Sequence, residues 1–385
     1  MKIIVACDKY KGNMTAVQVC NTIRQAIIDI DSSAEVIVSP MADGGEGTTE
    51  SLVESLGGNF VNLAVTGPTG KKINAEFGIL PGDIAIIEMA KASGLWLVPD
   101  GEKNPMQTTT FGTGQMIAKA LELGCRKIII GIGGSATNDA GMGMAQALGV
   151  KFFDVNEKLL GQGGMQLSKI FSIDTAGLYP SAKKAAFDVA CDVSNPLYGP
   201  DGAAYVYAPQ KGADPEMVRE LDMGLQNFAA AVKKSTGKDI ANLPGAGAAG
   251  GLGAGLVAFL DAKLRSGTDI IIEATSLEEK IKDCDLAITG EGAMDNQTFY
   301  GKSSYGVAKL AKKYSVPVIT VNGSVLLDYN LIEKEKQALF DGNFSTVNRD
   351  MSLEDAIKNG RQLLYKTSGE LFRFYRAVYK KIYSS

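Results

Sequence analysis

Histidine is absent from this sequence of 385 residues. Without it, a Ser-His-Asp triad, a His-activated cysteine and a His-ligated metal are all excluded. Any proton transfer must therefore use Asp, Glu, Lys, Tyr or Cys. Phosphoryl transfer tolerates this restriction well, because it depends mainly on positioning, electrostatics and oxygen-ligated Mg²⁺.

Closely spaced cysteines and long apolar runs are also lacking. The nearest two of the five cysteines, Cys7 and Cys20, are thirteen residues apart, so no Cys-x-x-Cys redox or zinc spacing exists. There is no uncharged apolar run of membrane-spanning length, and the opening MKIIVACDKY is too short for a secretory signal. We therefore expect free thiols in a reducing compartment and a cytoplasmic location.

The charge is close to balanced, with a formal net charge of −4 and no basic stripe. This argues against nucleic-acid and membrane partners. Apolar residues make up 45% and charged residues 21%, as in an ordinary globular protein long enough for two or three domains. The basic tail Leu371–Ile382 is interpreted as a terminal helix docked on its own domain, and a membrane-surface helix is the alternative.

Strand-like and helix-like segments alternate at both ends of the chain. Lys2–Cys7 and Glu35–Ser39 are predicted strands, and Thr15–Ile30, with Thr15 as N-cap, and Thr48–Leu56 are predicted helices. The pattern resumes at the apolar run Leu286–Thr289. A βαβα order of this kind predicts a parallel sheet.

The middle of the chain carries further strand-like runs separated by turns. They are Val61–Val65, Ile73–Leu80, Ile84–Met89, Lys127–Ile130, Ala186–Cys191 and Ala204–Tyr207. We therefore predict an α/β protein of two α/β domains. A discontinuous Rossmann-like parallel-sheet domain, residues 1–60 plus 280–385, would contain a second α/β domain, residues 61–279, inserted into it.

The segment Gly131–Gly143, GIGGSATNDAGMG, is the most informative motif. It follows the apolar run KIII and precedes a predicted helix, an order typical of loops that bind phosphate through backbone N–H groups. A turn that only reverses the chain is the alternative. The residues expected to hold the phosphates of a nucleotide are Gly133, Gly134, Ser135, Thr137, Asn138 and Asp139.

Polar residues follow several of the predicted strands. Because ligands bind beyond the carboxyl ends of parallel strands, we expect one sheet edge to gather Asp8, Lys11, Asp43, Glu46, Glu291 and Asp295. Asp192, at the end of AAFDVAC, suits a proton acceptor or a Mg²⁺ ligand, with an Asx turn as the alternative. Lys302 can meet a phosphate as a point charge, or it is a solvated lysine.

The segment Gly245–Gly250, GAGAAG, matches the dinucleotide-binding pattern G-x-G-x-x-G. Asn242-Leu243-Pro244 before it predicts no strand, so the context that this motif needs is missing. We interpret the glycines as a helix start packed tightly against another backbone. A nicotinamide-dependent dehydrogenase is the alternative.

Several motifs together resemble the bacterial two-domain glycerate kinase family. The resemblance runs from residue 1 to about residue 365. The matching segments are YKGNMTA (Tyr10–Ala16), DGGEGT (Asp43–Thr48), GIGGSATNDAGMGMAQALG (Gly131–Gly149), ACDVSNPLYGPDGAA (Ala190–Ala204), PQKGA (Pro209–Ala213), PGAGAAGGLGAGL (Pro244–Leu256) and TGEGAMDNQT (Thr289–Thr298).

The resemblance implies phosphorylation of D-glycerate by ATP with Mg²⁺. The expected product is 2-phosphoglycerate, with 3-phosphoglycerate the lesser alternative, and the expected state is a monomer or a homodimer. In the suggested mechanism Asp192 and Lys11 are catalytic, Glu291 and Asp192 bind metal, and Lys302 supports the nucleotide. The expected substrate-binding residues are Asp8, Asp43, Glu46 and Asp295.

The chain departs from the family pattern at a few positions. Lys9-Tyr10 stands where the family usually has Ser-Phe, Ala293 where it has arginine, and Ser304 where it often has proline. The missing arginine removes a bidentate anion clamp. A kinase with altered substrate, or a sensor that keeps the fold, is therefore the alternative function.

Overall fold

The structure is a computed structural model that describes residues 1–383. For Lys380, Ile382 and Tyr383 it describes the backbone alone. The strands are β1 Lys2–Val5, β2 Glu35–Val38, β3 Asn59–Thr66, β4 Lys72–Leu80, β5 Ile84–Glu88, β6 Lys127–Gly131, β7 Lys151–Phe153, β8 Ser172–Asp174, β9 Ala186–Ala190, β10 Lys263–Arg265, β11 Leu286–Thr289, β12 Ala293–Met294, β13 Val318–Asn322, β14 Ser324–Val325 and β15 Gly342–Ser345. The helices are α1 Ala16–Ile28, α2 Thr48–Leu56, α3 Ala90–Ser93, α4 Phe111–Glu122, α5 Met142–Ala147, α6 Ala203–Tyr207, α7 Pro215–Thr236, α8 Ala248–Leu260, α9 Gly267–Ala274, α10 Leu277–Ile281, α11 Ser303–Lys313, α12 Lys334–Gln337, α13 Leu353–Lys358 and α14 Gly360–Tyr383.

The chain forms two compact units. Residues 1–43 and 268 onward make the terminal unit, and Gly44–Gly267 make the inserted unit. Compared with the predicted division, residues 44–60 and 268–279 change sides. Helix α2 belongs to the inserted unit because Glu88 at the end of β5 accepts a hydrogen bond from Thr49 N at 2.8 Å. Helix α9 belongs to the terminal unit because Thr268 Oγ1 donates to Gly301 O at 3.0 Å.

The terminal unit is built on a five-stranded sheet in the order β15-β13-β11-β1-β2, all parallel. This is a doubly wound order in which the chain reverses direction across the sheet between β1 and β11. Ligands of such sheets bind beyond the carboxyl ends of the strands at this switch point. Asp8 and Glu291 follow β1 and β11 there.

The inserted unit has a six-stranded mixed sheet in the order β10-β9-β6-β5-β4-β3. The first four strands are parallel, and the hairpin β3-β4 adds antiparallel strands at the edge beside β5. Strand β6 is central and its apolar residues Ile128 and Ile130 are fully buried. This places the loop after β6 on a rigid support. The predicted class, two α/β domains with one inserted into a discontinuous Rossmann-like domain, is confirmed.

Local sequence signals explain several of these elements. Thr15 caps α1 with a capping box in which its hydroxyl accepts from Gln18 N at 3.2 Å and its own N–H donates to the Gln18 side chain. The prediction of a strand at Ala204–Tyr207 is wrong, because this segment forms helix α6. Tyr and Val favour strands, but the short run lies between Gly202 and Pro209, and its alanines pack against helices of the inserted unit.

The basic C-terminal segment forms the second half of α14, as predicted. The helix packs against α1, with Phe372 buried in the core of the terminal unit. Tyr375 Oη donates to Asp285 O at 2.6 Å, and Arg376 donates to Ile30 O at 3.1 Å. The interpretation as a docked terminal helix is therefore confirmed. None of the helices in residues 1–383 combines the length and apolar character needed to cross a membrane.

Candidate active site

The glycine-rich loop Gly131–Gly143 connects β6 to α5 in the inserted unit. Besides Gly131 O at the end of β6, which accepts from Met89 N at 2.9 Å, three of its carbonyl groups are held by donors from other segments. These bonds join Leu95 N to Gly134 O (2.8 Å), Thr108 Oγ1 to Ala136 O (2.8 Å) and Lys211 Nζ to Thr137 O (2.7 Å). Because the carbonyl oxygens are engaged with the surrounding protein, the loop is restrained from turning them toward a bound anion.

The glycine-rich start of α8 packs against this loop. Gly250 O accepts a hydrogen bond from Ala140 N at 3.0 Å, and a Cβ at Gly250 would clash with the carbonyl oxygen of Thr137. Gly250 also has a positive φ of 69° in the irregular first turn of the helix. The segment 238–243 before these glycines forms no strand. The predicted close backbone packing is confirmed, and the dinucleotide-binding context is missing.

Asp139 lies at the base of the loop with no exposed surface. Its carboxylate accepts hydrogen bonds from Thr110 N and Thr110 Oγ1, at 2.8 and 2.9 Å, and from Gly141 N and Gly143 N, both at 3.2 Å. Burial raises the pKa of Asp139, and these hydrogen bonds oppose the shift. Its oxygens are thus committed to holding the loop to α4 and α5.

Two neighbouring side chains in the loop carry buried polar atoms without partners. Asn138 and Thr137 have no exposed surface. The amide atoms Nδ2 and Oδ1 of Asn138 and the hydroxyl Oγ1 of Thr137 have no hydrogen-bond partner among the described residues. Buried polar groups in folded proteins almost always have a partner. A ligand with acceptor oxygens at this loop could pair with the two donors, Asn138 Nδ2 and the Thr137 hydroxyl.

Asp8 ends β1 in the terminal unit and is held by two donors. Ser303 Oγ donates to Asp8 Oδ2 at 2.8 Å, and Lys9 N donates to Asp8 Oδ1 at 2.7 Å. Burial and the nearby Asp43 raise the pKa of Asp8 to about 6, against the lowering effect of these hydrogen bonds. Asp8 therefore changes protonation close to neutral pH.

Glu291 follows β11 and forms a charged group with two partners from the next turn. Lys302 Nζ donates to Glu291 Oε2 at 3.0 Å and to Asp295 Oδ1 at 3.2 Å, and Thr298 Oγ1 donates to Glu291 Oε1 at 2.8 Å. Burial raises the pKa of Glu291, although Lys302 opposes this. Burial alone would lower the pKa of Lys302, but the two carboxylates outweigh it and raise the value. The group thus sets one ammonium between two carboxylates.

Lys11 lies beside the turn Gly290–Gly292. A Cβ at Gly292 would lie 3.2 Å from Lys11 N, and Gly290 O accepts a hydrogen bond from Asp8 N at 2.9 Å. The side chain of Lys11 is exposed. The ends of β1 and β11 therefore bring Asp8, Lys11 and Glu291 to one edge, as the strand pattern predicts.

Two further predicted residues, Glu46 and Asp192, lie in the inserted unit, and of these only Glu46 is predicted at the sheet edge of the terminal unit. Glu46 is exposed in the turn before α2, so it does not share a unit with Asp8, Asp43 and Asp295. Asp192 is exposed just after β9, and its Oδ1 accepts a hydrogen bond from Gly267 N at 3.1 Å. Since β9 neighbours β6, Asp192 and the glycine-rich loop follow adjacent strands of one sheet.

Some residues that shape the site are not predicted from the sequence. Lys211, Thr110 and Ser303 each bond directly to a predicted site residue. A lysine in the PQKG segment and a serine after Lys302 gave only weak signals, because their partners lie 76 and 295 residues away along the chain. Sequence separation of this size hides the pairing.

The inserted unit thus has a restrained glycine-rich loop after β6, and the terminal unit has carboxylates and lysines at the switch point of its parallel sheet. The chain belongs to the glycerate kinase family, whose model matches residues 3–376. It is therefore an enzyme of the kinase class, which implies a nucleotide substrate.

Individual relatives match nearly the whole chain. A glycerate kinase of Halalkalibacterium halodurans is 49% identical and covers 94% of this chain and 95% of its own length. A glycerate 2-kinase of Escherichia coli K12 is 46% identical over 96% of each chain. A crystal structure from Salmonella typhimurium LT2, described as a proposed glycerate kinase 2, is 43% identical, with a TM-score of 0.91 and 99% of each chain covered.

Proposed function

We propose that this enzyme transfers the γ-phosphoryl group of ATP, bound with Mg²⁺, to D-glycerate and forms 2-phosphoglycerate. The glycine-rich loop carries the proposal. Its carbonyl groups are engaged by other segments, and Asn138 and Thr137 keep buried polar atoms without partners. Membership of the glycerate kinase family and the name of the Escherichia coli relative support the acceptor and the phosphorylated position.

In this proposal the loop binds the phosphates of the nucleotide. Gly133 and Gly134 allow close backbone approach, and Ser135, Thr137 and Asn138 supply side-chain contacts. Asp139 acts differently from the others, because its oxygens are used by Thr110 and by backbone N–H groups. It keeps the loop in shape and does not contact the ligand.

Carboxylate oxygens are suitable ligands for Mg²⁺, but the described part of the protein does not supply a complete set of them. Within residues 1–383 there is no cluster of three Asp, Glu, His or Cys side chains close enough to hold a metal ion. Mg²⁺ usually takes one or two carboxylates together with substrate phosphates and water. Glu291 of the terminal unit and Asp192 of the inserted unit are each proposed as a candidate ligand, and the ion would neutralise charge on the transferred group.

The acceptor side of the reaction is assigned to residues at strand ends. Asp192 orients the D-glycerate hydroxyl and accepts its proton. Asp8, Asp43 and Asp295 of the terminal unit are proposed to contact the substrate, and Glu46 is a separate candidate in the inserted unit. Lys11 stabilises the charge that develops on the transferred phosphoryl group, with Lys302 in support.

Lys11 is proposed to be more important in this chain because a nearby position, residue 293, lacks the arginine usual in the family. Ala293, where the family usually has arginine, is exposed just after Gly292, the residue that lies against Lys11 N. No arginine clamp is present at this position. Lys11 then supplies the positive charge beside the turn.

The proposal is tested by measuring ADP release from MgATP with D-glycerate, with L-glycerate and without an acceptor. Release that depends on D-glycerate is expected. Equal release in all three reactions would contradict the assigned acceptor. Nucleotide binding without acceptor-dependent release would indicate another substrate or a sensor, and would direct attention to Lys9, Tyr10 and Ala293.

A further inference from the structure

Lys211 is a buried lysine that the phosphoryl-transfer scheme above does not use. It ends the short 3₁₀ turn Pro209–Lys211 of the inserted unit and is only 2% exposed. Its Nζ donates to Ser135 Oγ at 2.7 Å and to Thr137 O at 2.7 Å. Both acceptors belong to the glycine-rich loop.

The chemistry of an ammonium group fixes the direction of these bonds. In its charged form Lys211 has three donors and no acceptor, so Ser135 Oγ then accepts from it. The Ser135 hydroxyl proton is then left to donate to another group. At the same time, the bond to Thr137 O keeps that carbonyl turned toward Lys211.

We propose that Lys211 is a positioning residue that orients the Ser135 hydroxyl as a donor and holds the loop in the conformation that binds nucleotide phosphates. The inference rests on the proposed function of the loop. Lys211 acts through Ser135 and Thr137 and is not itself assigned a contact with the nucleotide.

The protonation of Lys211 gives this role a measurable signature. Burial lowers the pKa of Lys211 to about 7, and Asp139 is the charged group that opposes the shift. The nearby Lys103 packs its backbone against Gly212, the residue after Lys211. Its ammonium is paired with Asp100 at 2.6 Å. An anion bound at the loop stabilises the charged ammonium, so binding at pH 8 should draw a proton onto Lys211.

The main experiment is calorimetric titration with ADP at pH 8 in two buffers of different ionisation enthalpy. The wild-type enzyme should take up a fraction of a proton that approaches one. Lys211→Met should bind ADP about 10- to 100-fold more weakly, as expected for the loss of a charged hydrogen-bond donor, and should lose the proton uptake. Lys211→Arg, which keeps the charge and donors, should recover part of the affinity.

Lys238 provides a matched control. It also donates to two backbone carbonyl groups of the inserted unit, Val257 O at 3.0 Å and Ala258 O at 2.7 Å, but at the far end of α8. Lys238→Met should leave the ADP dissociation constant within about twofold, since its contacts are remote from the loop. A lysine that merely joins segments would behave like this control.

A double-mutant cycle separates positioning from general destabilisation. If Lys211 acts through Ser135, the effects of Lys211→Met and Ser135→Ala on ADP affinity will be strongly non-additive. Additive effects, or unchanged affinity in folded Lys211→Met, would overturn the inference while the proposed function stands. Absence of ADP binding by the wild type would overturn both. If Lys211→Met fails to fold, Lys211→Arg decides the matter: it should bind ADP without the proton uptake, because its guanidinium is already charged at pH 8, and uptake that persists in this variant would overturn the inference.

Discussion

Two glycine-containing turns follow buried parallel strands in this molecule, and they hold their polar groups in opposite ways. The loop after β6 is fixed by hydrogen bonds inside one unit, including those of Lys211, and its buried carboxylate, Asp139, is fully used inside the protein. The turn after β11 is surrounded by charges, with Lys302 between Glu291 and Asp295. The first arrangement favours a fixed anion, and the second favours groups whose charge changes during a reaction.

Each turn also keeps an unfavourable feature of a different kind. In the loop after β6 it is the buried amide of Asn138, which has no hydrogen-bond partner among the described residues. Beside the turn after β11 it is Asp8, whose pKa is raised to about 6 by burial and by Asp43. Such features lower the stability of a folded protein and are often found at functional sites. The comparison therefore predicts distinct effects of substitutions in the two regions.

Asp192→Asn should have the largest effect, because it removes the proposed proton acceptor and leaves the glycine-rich loop intact. We expect kcat to fall about 10²- to 10⁴-fold with little change in ADP affinity. Steady-state kinetics and calorimetry check this pair of values. Asp201→Asn, a change at an exposed carboxylate of the same unit, is the control. Near-normal turnover of Asp192→Asn would remove it from the mechanism.

Lys11→Met should follow, because Lys11 is the proposed cation beside Gly292. We expect kcat to fall about 100-fold, and the dissociation constant for ATP to change much less, since the charge that Lys11 stabilises develops in the transition state. Parallel measurement of kcat and ATP binding decides this. A change confined to ATP affinity would assign Lys11 to ground-state binding.

Asp8→Asn tests whether the buried charge of Asp8 lowers the stability of the terminal unit. Because the folded pKa of Asp8 is raised, its contribution to stability is present below about pH 4 and is lost as the pH rises through about 6. The asparagine variant should therefore be more stable than the wild type by about 1–3 kcal/mol at pH 7.5, and the difference should disappear near pH 4. Urea unfolding at both pH values measures it, and a difference that does not depend on pH would refute the account.

Asn138→Leu tests whether the unpaired buried amide of Asn138 lowers the stability of the enzyme. Its effect on stability should be the smallest. Replacing a buried amide without partners by an apolar side chain of similar size should stabilise the free enzyme by about 1 kcal/mol. The same change should reduce the rise in melting temperature that ADP produces. A variant with lower stability and normal ADP response would show that the amide has a structural partner.

The sequence predicts the strands and glycine-rich turns of both regions because these elements depend on short local patterns. The runs KIII and LAIT form buried strands at the predicted positions, and the glycines from Gly245 onward pack against another backbone. The predicted gathering of charges at β1 and β11 depends only on parallel strands ending at one edge. These inferences need composition and spacing alone.

The remaining features depend on which side chains are buried and what they contact. No pattern in the sequence reveals that Asp139 uses both oxygens inside the protein, or that Lys211 is buried against Ser135. Glu46 follows a strand of the terminal unit in sequence, but α2 packs with the inserted unit and takes Glu46 with it. Tertiary packing decides these cases, as it does for the helix at Ala203–Tyr207.

The most direct test of the account is the proton-coupled phosphorus NMR spectrum of the product formed from MgATP and D-glycerate. Transfer to the hydroxyl at carbon 2 gives a phosphorus bonded through oxygen to a carbon with one hydrogen, and the account predicts a doublet. A triplet would place the phosphate at carbon 3 and contradict the proposed product. No new ester signal beside that of ADP would contradict phosphoryl transfer to D-glycerate itself.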